Sequence, residues 1–306
     1  MGKKDILLKD YFTPDIFSDA INTIVFDGKI VVTPNRMHSL DIETQHIEEN
    51  ATKVDTRYRD IAKVAEVDNA IYCLFAIENQ SVEDYSMPLR IMEYDVREYL
   101  RQIKNCQKKL TSIKPIITIV MYWKPDKWCY PTNIKDMYDT DTVRWLEKYG
   151  LGEYIQDYRM HLFEPATVSD KVLNRFRTEI KDVIAYVKYS KSTDALREYN
   201  EKNKPNLTRK TVTLINELTN SDYHFIEGKE TLNMCEAFEG IKAEGIKEGI
   251  KEGIKEGVEI GEYNIIIQAA NNMGSKGMTA AEIAANLGIT EEKLSEALKS
   301  AYEKDK

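Results

Sequence analysis

Two amides and a carboxylate stand at the end of a strongly apolar run. The segment AIYCLFAIENQ (70–80) is apolar or small over its first eight residues and then turns to Glu78, Asn79 and Gln80. Such a run is typical of a strand buried on both faces. Ligands bind at strand ends in α/β folds, so these polar side chains are candidates for a functional site.

A second carboxylate is expected beside Glu78. The alternating segment RYRDIAKVAEV (57–67) predicts a strand that contains Asp60, and Asp68-Asn69 is a favourable hairpin turn leading into the 70–78 strand. Counting outward from this turn brings Asp60 close to Glu78. Two carboxylates and a nearby backbone carbonyl suit Mg²⁺. The spacing alone fits equally well an Asp60 paired with an adjacent arginine and a Glu78 that begins a loop.

The composition narrows the kind of site. The chain of 306 residues has a net charge of −8, four scattered cysteines without a CxxC pair and four scattered histidines. This pattern argues against a zinc site and a disulfide framework, so a metal here would be hard and oxygen-bound. The acidic balance argues mildly against a polyanionic partner, although a basic face can sit on an acidic protein.

The elements that would position these residues follow one order. Apolar periodicity and Pro or Gly boundaries predict helix, strand, strand, strand, helix, strand. The predicted elements are helix 14–27, strands 29–33, 57–67 and 70–78, helix 88–110 and strand 116–123, with an irregular loop over 35–55. A further helix is expected near 142–149, and helices with polar connections over 169–220.

Longer motifs add a family resemblance. The stretches FSDAIN, YRDIAK, IENQSVEDYSMPLRIMEYD, PIITIVMYW and YIQDYRMHL resemble the PD-(D/E)XK family transposases, also called recombination-promoting nucleases (Rpn). The resemblance covers roughly residues 9–165. It implies an α/β fold with a restriction-endonuclease-like αβββαβ core. It also implies Mg²⁺-dependent hydrolysis of DNA phosphodiester bonds, with Mn²⁺ as an alternative metal.

The resemblance also implies a ligand set. Asp60, Glu78 and the carbonyl of Asn79 would hold the metal, and Asp60, Glu78 and Gln80 would be catalytic. Gln80 stands where the superfamily more often has Lys, which supplies positive charge to the transition state. Gln is also frequent there in this family. Asp19 lies where related nucleases can carry a further carboxylate, with an exposed helix residue as the other interpretation.

The helix after Glu78 carries a basic stripe. The stripe consists of residues spaced three or four apart, which places them on one side of the helix. They are Arg90, Tyr94, Arg97, Arg101, Lys104 and Lys108. The stripe lies opposite or beside the predicted apolar face, which consists of Leu89, Met92, Val96, Tyr99, Leu100 and Ile103. A line of positive charge near a metal site suits a phosphate backbone, so the three arginines and Lys104 are predicted to bind DNA. A solvated charged face is the alternative.

Four domains are expected. The predicted boundaries are a nuclease-like domain over 1–165, a helical extension over 166–235, a GIKE-repeat helix or linker over 236–275, and a small two-helix module over 276–306. Gly and Ile recur every fourth residue in the repeat, which predicts a helix stable mainly when associated, and hence a homo-oligomer. The final module has a helix-turn-helix outline but an acidic balance, which favours a protein–protein role.

The sequence predicts a metal-dependent DNA endonuclease associated with recombination or mobile elements. The alternative is a catalytically weak nuclease-fold DNA-binding or toxin–antitoxin-type interaction protein whose repeat tail mediates self-association. A scaffold whose function is the tail itself is a third possibility. The absence of a long apolar run and of a signal-peptide pattern predicts a cytoplasmic protein without a membrane partner.

Overall fold

The structure is a computed structural model that falls into two compact units. The described residues are 2–39, 60–68, 71–105, 112–225 and 228–304. The first unit is Met1–Phe238 and the second is Glu239–Lys306. Each unit has its own buried apolar cluster and is described separately below.

A five-stranded mixed sheet is the centre of the first unit. Its strands are β1 (Met37–Ser39), β2 (Ile61–Asp68), β3 (Ile71–Gln80), β4 (Ile116–Tyr122) and β5 (His161–Phe163). They are ordered β1-β2-β3-β4-β5, with the first two pairings antiparallel and the last two parallel. Strand β3 is therefore central, which explains its nearly uninterrupted apolar sequence.

Helices surround this sheet and form the extension that follows it. They are α1 (Lys3–Tyr11), α2 (Pro14–Ile24), α3 (Met87–Asn105), α4 (Thr140–Lys148), α5 (Asp170–Leu173), α6 (Ile180–Tyr189), α7 (Thr193–Asn203) and α8 (Arg209–Thr219). A small antiparallel ladder joins β6 (Asn206–Thr208) to β7 (Thr231–Asn233). Among all helices in the described residues, none is long and apolar enough to cross a membrane.

The expected order of helix, three strands, helix and strand is present as α2, β1, β2, β3, α3 and β4. The position of the first strand is wrong, because 29–33 is irregular and the strand is Met37–Ser39. Asn22 of α2 explains the difference. Its Oδ1 accepts hydrogen bonds from the N–H groups of Val31 and Val32, at 2.9 Å each, and its Nδ2 donates to the Val32 carbonyl at 2.8 Å. A side chain thus takes the place of a neighbouring strand.

Some sequence predictions fall partly outside the described residues. These are the loop over 35–55 beyond residue 39, the start of the 57–67 strand, the hairpin turn at Asn69, and the end of the 88–110 helix with Lys108.

One apolar core unites the sheet with the helical extension. It includes Phe17 and Ile21 of α2, Phe75 and Ile77 of β3, Ile184 of α6 and Ile215 of α8, all fully buried. Side chains from both sides of position 165 therefore share one core, within the single unit that ends at Phe238. Most stability of such helices comes from this tertiary packing rather than from helix propensity.

Asp19 ties α2 to the extension. Asp19 is only 7% exposed, so it is neither an exposed helix residue nor a carboxylate open to a ligand. Its Oδ2 accepts hydrogen bonds from the Arg177 N–H at 2.8 Å, the Thr178 N–H at 2.7 Å and the Thr178 hydroxyl at 2.8 Å. These three bonds give Asp19 a structural role, because they satisfy the backbone just before α6.

The second unit is a small helical module preceded by the repeat. Helix α9 (Met234–Gly274) contains the whole repeat, and α10 (Ala280–Leu287) and α11 (Glu291–Lys304) follow. The module core joins the end of α9 to the two short helices through Ile266, Ala270, Ile283, Ala284, Leu294 and Ala297. In contrast, the repeat residues Ile246, Ile250 and Ile254 are 54%, 58% and 62% exposed. Thr279 and Glu282 form a capping box at the start of α10.

Candidate active site

The strand register brings Asp60 and Glu78 together. Ile61 of β2 pairs with Ile77 of β3, so Asp60, just before, lies opposite Glu78, just after. Even-numbered β3 residues bond to the β4 side, as the 2.8 Å bond from the Trp123 N–H to the Gln80 carbonyl shows. If the register is extended by one residue, Asp60 and Glu78 are a non-hydrogen-bonded pair. The side chains of such a pair share a face, with Cβ atoms typically about 4.5–5.5 Å apart.

Asp60 is held in place by the neighbouring strand. Its Oδ2 accepts a hydrogen bond from the Asn79 N–H at 2.8 Å, and its Oδ1 lies 3.9 Å from the Lys9 ammonium of α1. Burial raises the pKa of Asp60, and the Asn79 bond and the charges of Lys9 and Arg90 only partly offset this effect. A carboxyl with a raised pKa beside a second carboxylate is a common feature of functional sites.

Glu78 and Asn79 point to opposite faces of the sheet. Glu78 is 3% exposed and lies beside Val120 of β4, which packs against α3. The Oδ1 of Asn79 accepts a hydrogen bond from the Trp123 indole at 2.8 Å on the other face. The N–H and C=O of a strand residue point to the same neighbour, so the Asn79 carbonyl is on the Asp60 side.

Gln80 is two residues after Glu78, so its side chain lies on the same face of the sheet. It forms a hydrogen bond within its own segment of the chain. Its Nε2 donates a hydrogen bond to the Val82 carbonyl at 2.6 Å, in the loop that follows β3. The amide is neutral, so it cannot supply the charge that a lysine would bring to this position.

The oxygen donors at this strand end are few. No group of three or more His, Cys, Asp or Glu side chains that could hold a metal occurs in the described part of the chain. The donors that the register brings together are two carboxylates and one backbone carbonyl. This is a hard, oxygen-only donor set, which suits Mg²⁺ or Mn²⁺ with water in the remaining positions.

The three arginines of the basic stripe are all paired with carboxylates in the structure. Their partners are carboxylates close in sequence: Arg90 with Asp84 at 2.7 Å, Arg97 with Glu93 at 2.5 Å, and Arg101 with Glu98 at 2.7 Å. Lys104 is exposed near the end of α3. DNA contact by these four residues stays a prediction, and Arg90 is the member whose charge reaches Asp60.

Comparison with known proteins bears on the same region. Residues 34–218, more than half of the chain, match the family model described as "Putative transposase, YhgA-like". The chain belongs to this family. The resemblance to PD-(D/E)XK family transposases that the sequence motifs indicated is thereby confirmed. Neither the curated proteins nor the solved structures yield a significant match.

The YhgA-like segment contains the strands that carry Asp60 and Glu78, but it begins after α1. Lys9 was therefore missed by sequence reasoning, because nothing in a nine-residue helix some fifty positions upstream signals a contact with Asp60. Asp84 was missed as well. It lies six residues before Arg90 in the loop preceding α3, outside the helical spacing that defines the stripe.

The orientation of α3 in this YhgA-like chain also differs from the expectation. Met87, Ile91 and Tyr94 pack into the apolar cluster with β4. Most residues expected to form its apolar face are instead exposed, namely Leu89, Met92, Val96, Leu100 and Ile103. Both sides of the helix carry apolar residues. The prediction took the longer apolar stripe as the buried face, because periodicity alone does not show which side packs on the sheet.

Proposed function

We propose that this protein is a metal-dependent DNA endonuclease with a restriction-endonuclease-like αβββαβ core, associated with recombination or mobile elements. The proposal is carried by the Ile61–Ile77 pair, which leaves Asp60 and Glu78 opposite each other one residue further on. The 2.8 Å hydrogen bond from the Asn79 N–H to Asp60 supports this placement. Membership in the YhgA-like family and the mixed sheet with its helix order support the proposal.

The proposed ligands are Asp60, Glu78 and the carbonyl of Asn79, with Mg²⁺ as the metal and Mn²⁺ as a substitute. The donor chemistry fits, since hard oxygens from adjacent strands converge on one strand end. When bound, such an ion lowers the pKa of a coordinated water and offsets negative charge on the phosphate. The Asn79 N–H, at 2.8 Å from Asp60, holds that carboxylate in a fixed orientation.

Positive charge at the site is proposed to come from outside the strand motif. Lys9 lies 3.9 Å from Asp60, close enough to supply the charge that Gln80 lacks. Arg90, in the first turn of α3, is held by Asp84 and bears on Asp60 electrostatically. We assign Arg90 to contact with a DNA phosphate near the reacting bond, and Gln80 to orienting water through its amide oxygen.

A plasmid-nicking assay with Mg²⁺, Mn²⁺, Ca²⁺ or EDTA tests this function. Cleavage is expected with Mg²⁺ or Mn²⁺ and none with EDTA. Asp60→Ala and Glu78→Ala should abolish it, whereas Glu66→Ala, on the strand that Asp60 precedes, should not. Nicking by Glu78→Ala at the wild-type rate would refute the proposed site.

The second candidate is a catalytically weak nuclease-fold protein that binds DNA or another protein. The hydrogen bond from Gln80 to Val82 and the neutral amide favour it, because the strand motif itself supplies no cation. It predicts DNA binding that is unchanged in Asp60→Ala, with little cleavage by the wild type. Loss of binding together with cleavage would contradict it.

The repeat of α9 is proposed to mediate self-association. Ile246, Ile250, Ile254 and Val258 lie every fourth residue, and each is more than half exposed. Burying a side chain of this kind contributes roughly 1.5–3 kcal/mol, which offsets the roughly 1 kcal/mol cost of each mid-helix Gly. Replacing these four residues with Gln in the full chain should lower its mass in light scattering. An unchanged mass would contradict the proposal.

A further inference from the structure

An exposed apolar stripe runs along α3. Leu89, Met92, Val96, Leu100 and Ile103 are 45%, 38%, 43%, 58% and 50% exposed. They lie on the side of the helix away from Met87 and Ile91, which pack with β4. The stripe extends over about 21 Å at 1.5 Å per residue. Contiguous apolar patches of several hundred Å² on a protein surface commonly mark interaction sites.

The spacing of the stripe is symmetric about its centre. From Leu89 to Ile103 the steps are three, four, four and three residues. Reversal of the helix direction about Val96 therefore exchanges Leu89 with Ile103 and Met92 with Leu100. A surface that maps onto itself under such a reversal is self-complementary, which is the property that a twofold-symmetric contact requires.

We propose that the α3 stripe docks on the α3 stripe of a second copy of this chain, antiparallel, with the twofold axis at Val96. Steps of three and four residues are those at which helices pack side by side. In this arrangement Leu89 meets the partner's Ile103 at each end, and two Val96 side chains meet at the centre. The proposal stands whether or not the strand-end site is catalytic.

The charges around the stripe favour a protein over a nucleic acid. Arg97 and Arg101 lie on the same side of the apolar stripe and pair with Glu93 and Glu98, so the net charge of these four residues is zero. A phosphate backbone would require the arginines to leave their carboxylates. Two copies can instead approach with these ion pairs intact, forming the polar rim that is typical of protein interfaces.

The area indicates a dimer of modest affinity. The five side chains present on the order of 400 Å² per copy, about half of the roughly 800 Å² per partner in a standard interface. Val82 and Tyr85, 65% and 48% exposed in the loop before α3, offer further apolar surface. Because α3 follows the strand that carries Glu78, such a dimer would also fix the distance between two strand-end sites.

Thiol cross-linking of the full chain tests the proposal. In a background with the four natural cysteines replaced and its unfolding midpoint verified, Val96→Cys is treated with a short bismaleimide. The two introduced thiols meet at the axis, so a covalent dimer is expected as the main product. Leu89→Cys is the matched control on the same stripe. Its thiols in the two copies would lie about 21 Å apart, so it should cross-link only when Ile103→Cys is also present.

The outcomes distinguish a second copy of the chain from other ways in which the α3 stripe could be covered. Equal cross-linking of Leu89→Cys alone would indicate a parallel or non-specific contact and overturn the proposal. Protection of Val96→Cys from the reagent without a covalent dimer would indicate that the chain itself or DNA covers the stripe, and would also overturn it. Without any cysteine replacement, but with the four exposed α9 repeat residues replaced with Gln, Val96→Asp should lower the sedimentation-derived mass, whereas Glu153→Gln, at an exposed position outside α3, should not. An unchanged mass for Val96→Asp would refute the dimer.

Discussion

Divalent metal should stabilise this protein through Asp60, and the effect is measurable without any nuclease assay. Asp60 and Glu78 bring two carboxylates to one face, and burial already raises the pKa of Asp60. A dication that binds both carboxylates in the folded state has no equivalent site in the unfolded chain. The free energy of unfolding should therefore rise with the concentration of Mg²⁺ or Mn²⁺.

The size of the effect follows from mass action. At a metal concentration one hundred times the dissociation constant, the added stability is about 2.7 kcal/mol. The first unit is Met1–Phe238, and for a unit of this size each kcal/mol moves the unfolding midpoint by about 2–4 °C. The midpoint of this unit is expected to rise by about 5–11 °C, in differential scanning calorimetry of the full chain with Mg²⁺ or Mn²⁺ against EDTA.

The pH dependence has a definite sign. The pKa of Asp60 is raised on folding, so without metal the folded state binds more protons than the unfolded chain. Its contribution to the free energy of unfolding therefore falls as the pH rises from the ordinary Asp value to the raised pKa, and it stays low above that. Metal competes with the proton, so the metal-induced midpoint shift should grow over the same pH interval.

Three variants complete this experiment. Asp60→Asn removes the ionisable group, so it should unfold at a higher temperature than the wild type in EDTA above the raised pKa, and it should lose most of the metal shift. Glu78→Gln should also lose the shift. Glu66→Gln carries the same charge change on the strand that Asp60 precedes, about 20 Å away, and should keep it. An equal metal shift in Asp60→Asn and wild type would refute the two-carboxylate site.

Three further predictions concern single side chains. Lys9→Gln should lower the cleavage rate, and adding Gln80→Lys should restore it; absence of rescue would mean that Lys9 does not supply the missing charge. Arg90→Ala should lower DNA affinity and reduce the salt slope of binding by about 1, whereas an unchanged slope would exclude a phosphate contact. Asp19→Ala should destabilise the first unit by about 3 kcal/mol in urea unfolding, because it removes three hydrogen bonds to a nearly buried carboxylate, while the exposed Asp15→Ala should have little effect.

The sequence predicted the part of the fold that local patterns determine. The central strand was recognisable because a strand buried on both faces must be apolar throughout, and its polar end stood out for that reason. The opposition of Asp60 and Glu78 followed from counting along a hairpin, since strand pairing is periodic. Its register continues directly from the Ile61–Ile77 pair.

Contacts between distant segments could not be predicted in this way. Asn22 replaces strand partners for Val31 and Val32, and Asp19 holds Arg177 and Thr178 across more than 150 positions of sequence. Neither side chain differs in type or spacing from an ordinary helix residue. The exposed side of α3 was hidden for a related reason, because a helix apolar on two sides does not reveal which side meets the sheet.

The position of Glu78 at the end of β3 needs a physical explanation. A carboxylate that is 3% exposed, at the end of a strand buried on both faces, costs stability relative to an apolar residue of similar size. The strand could end one residue earlier without that cost, yet Glu78 stands opposite Asp60, a second carboxyl whose ionisation is disfavoured by burial. A cation bound by both acidic groups, as proposed above, would offset this cost, whereas apolar packing would favour neither of them.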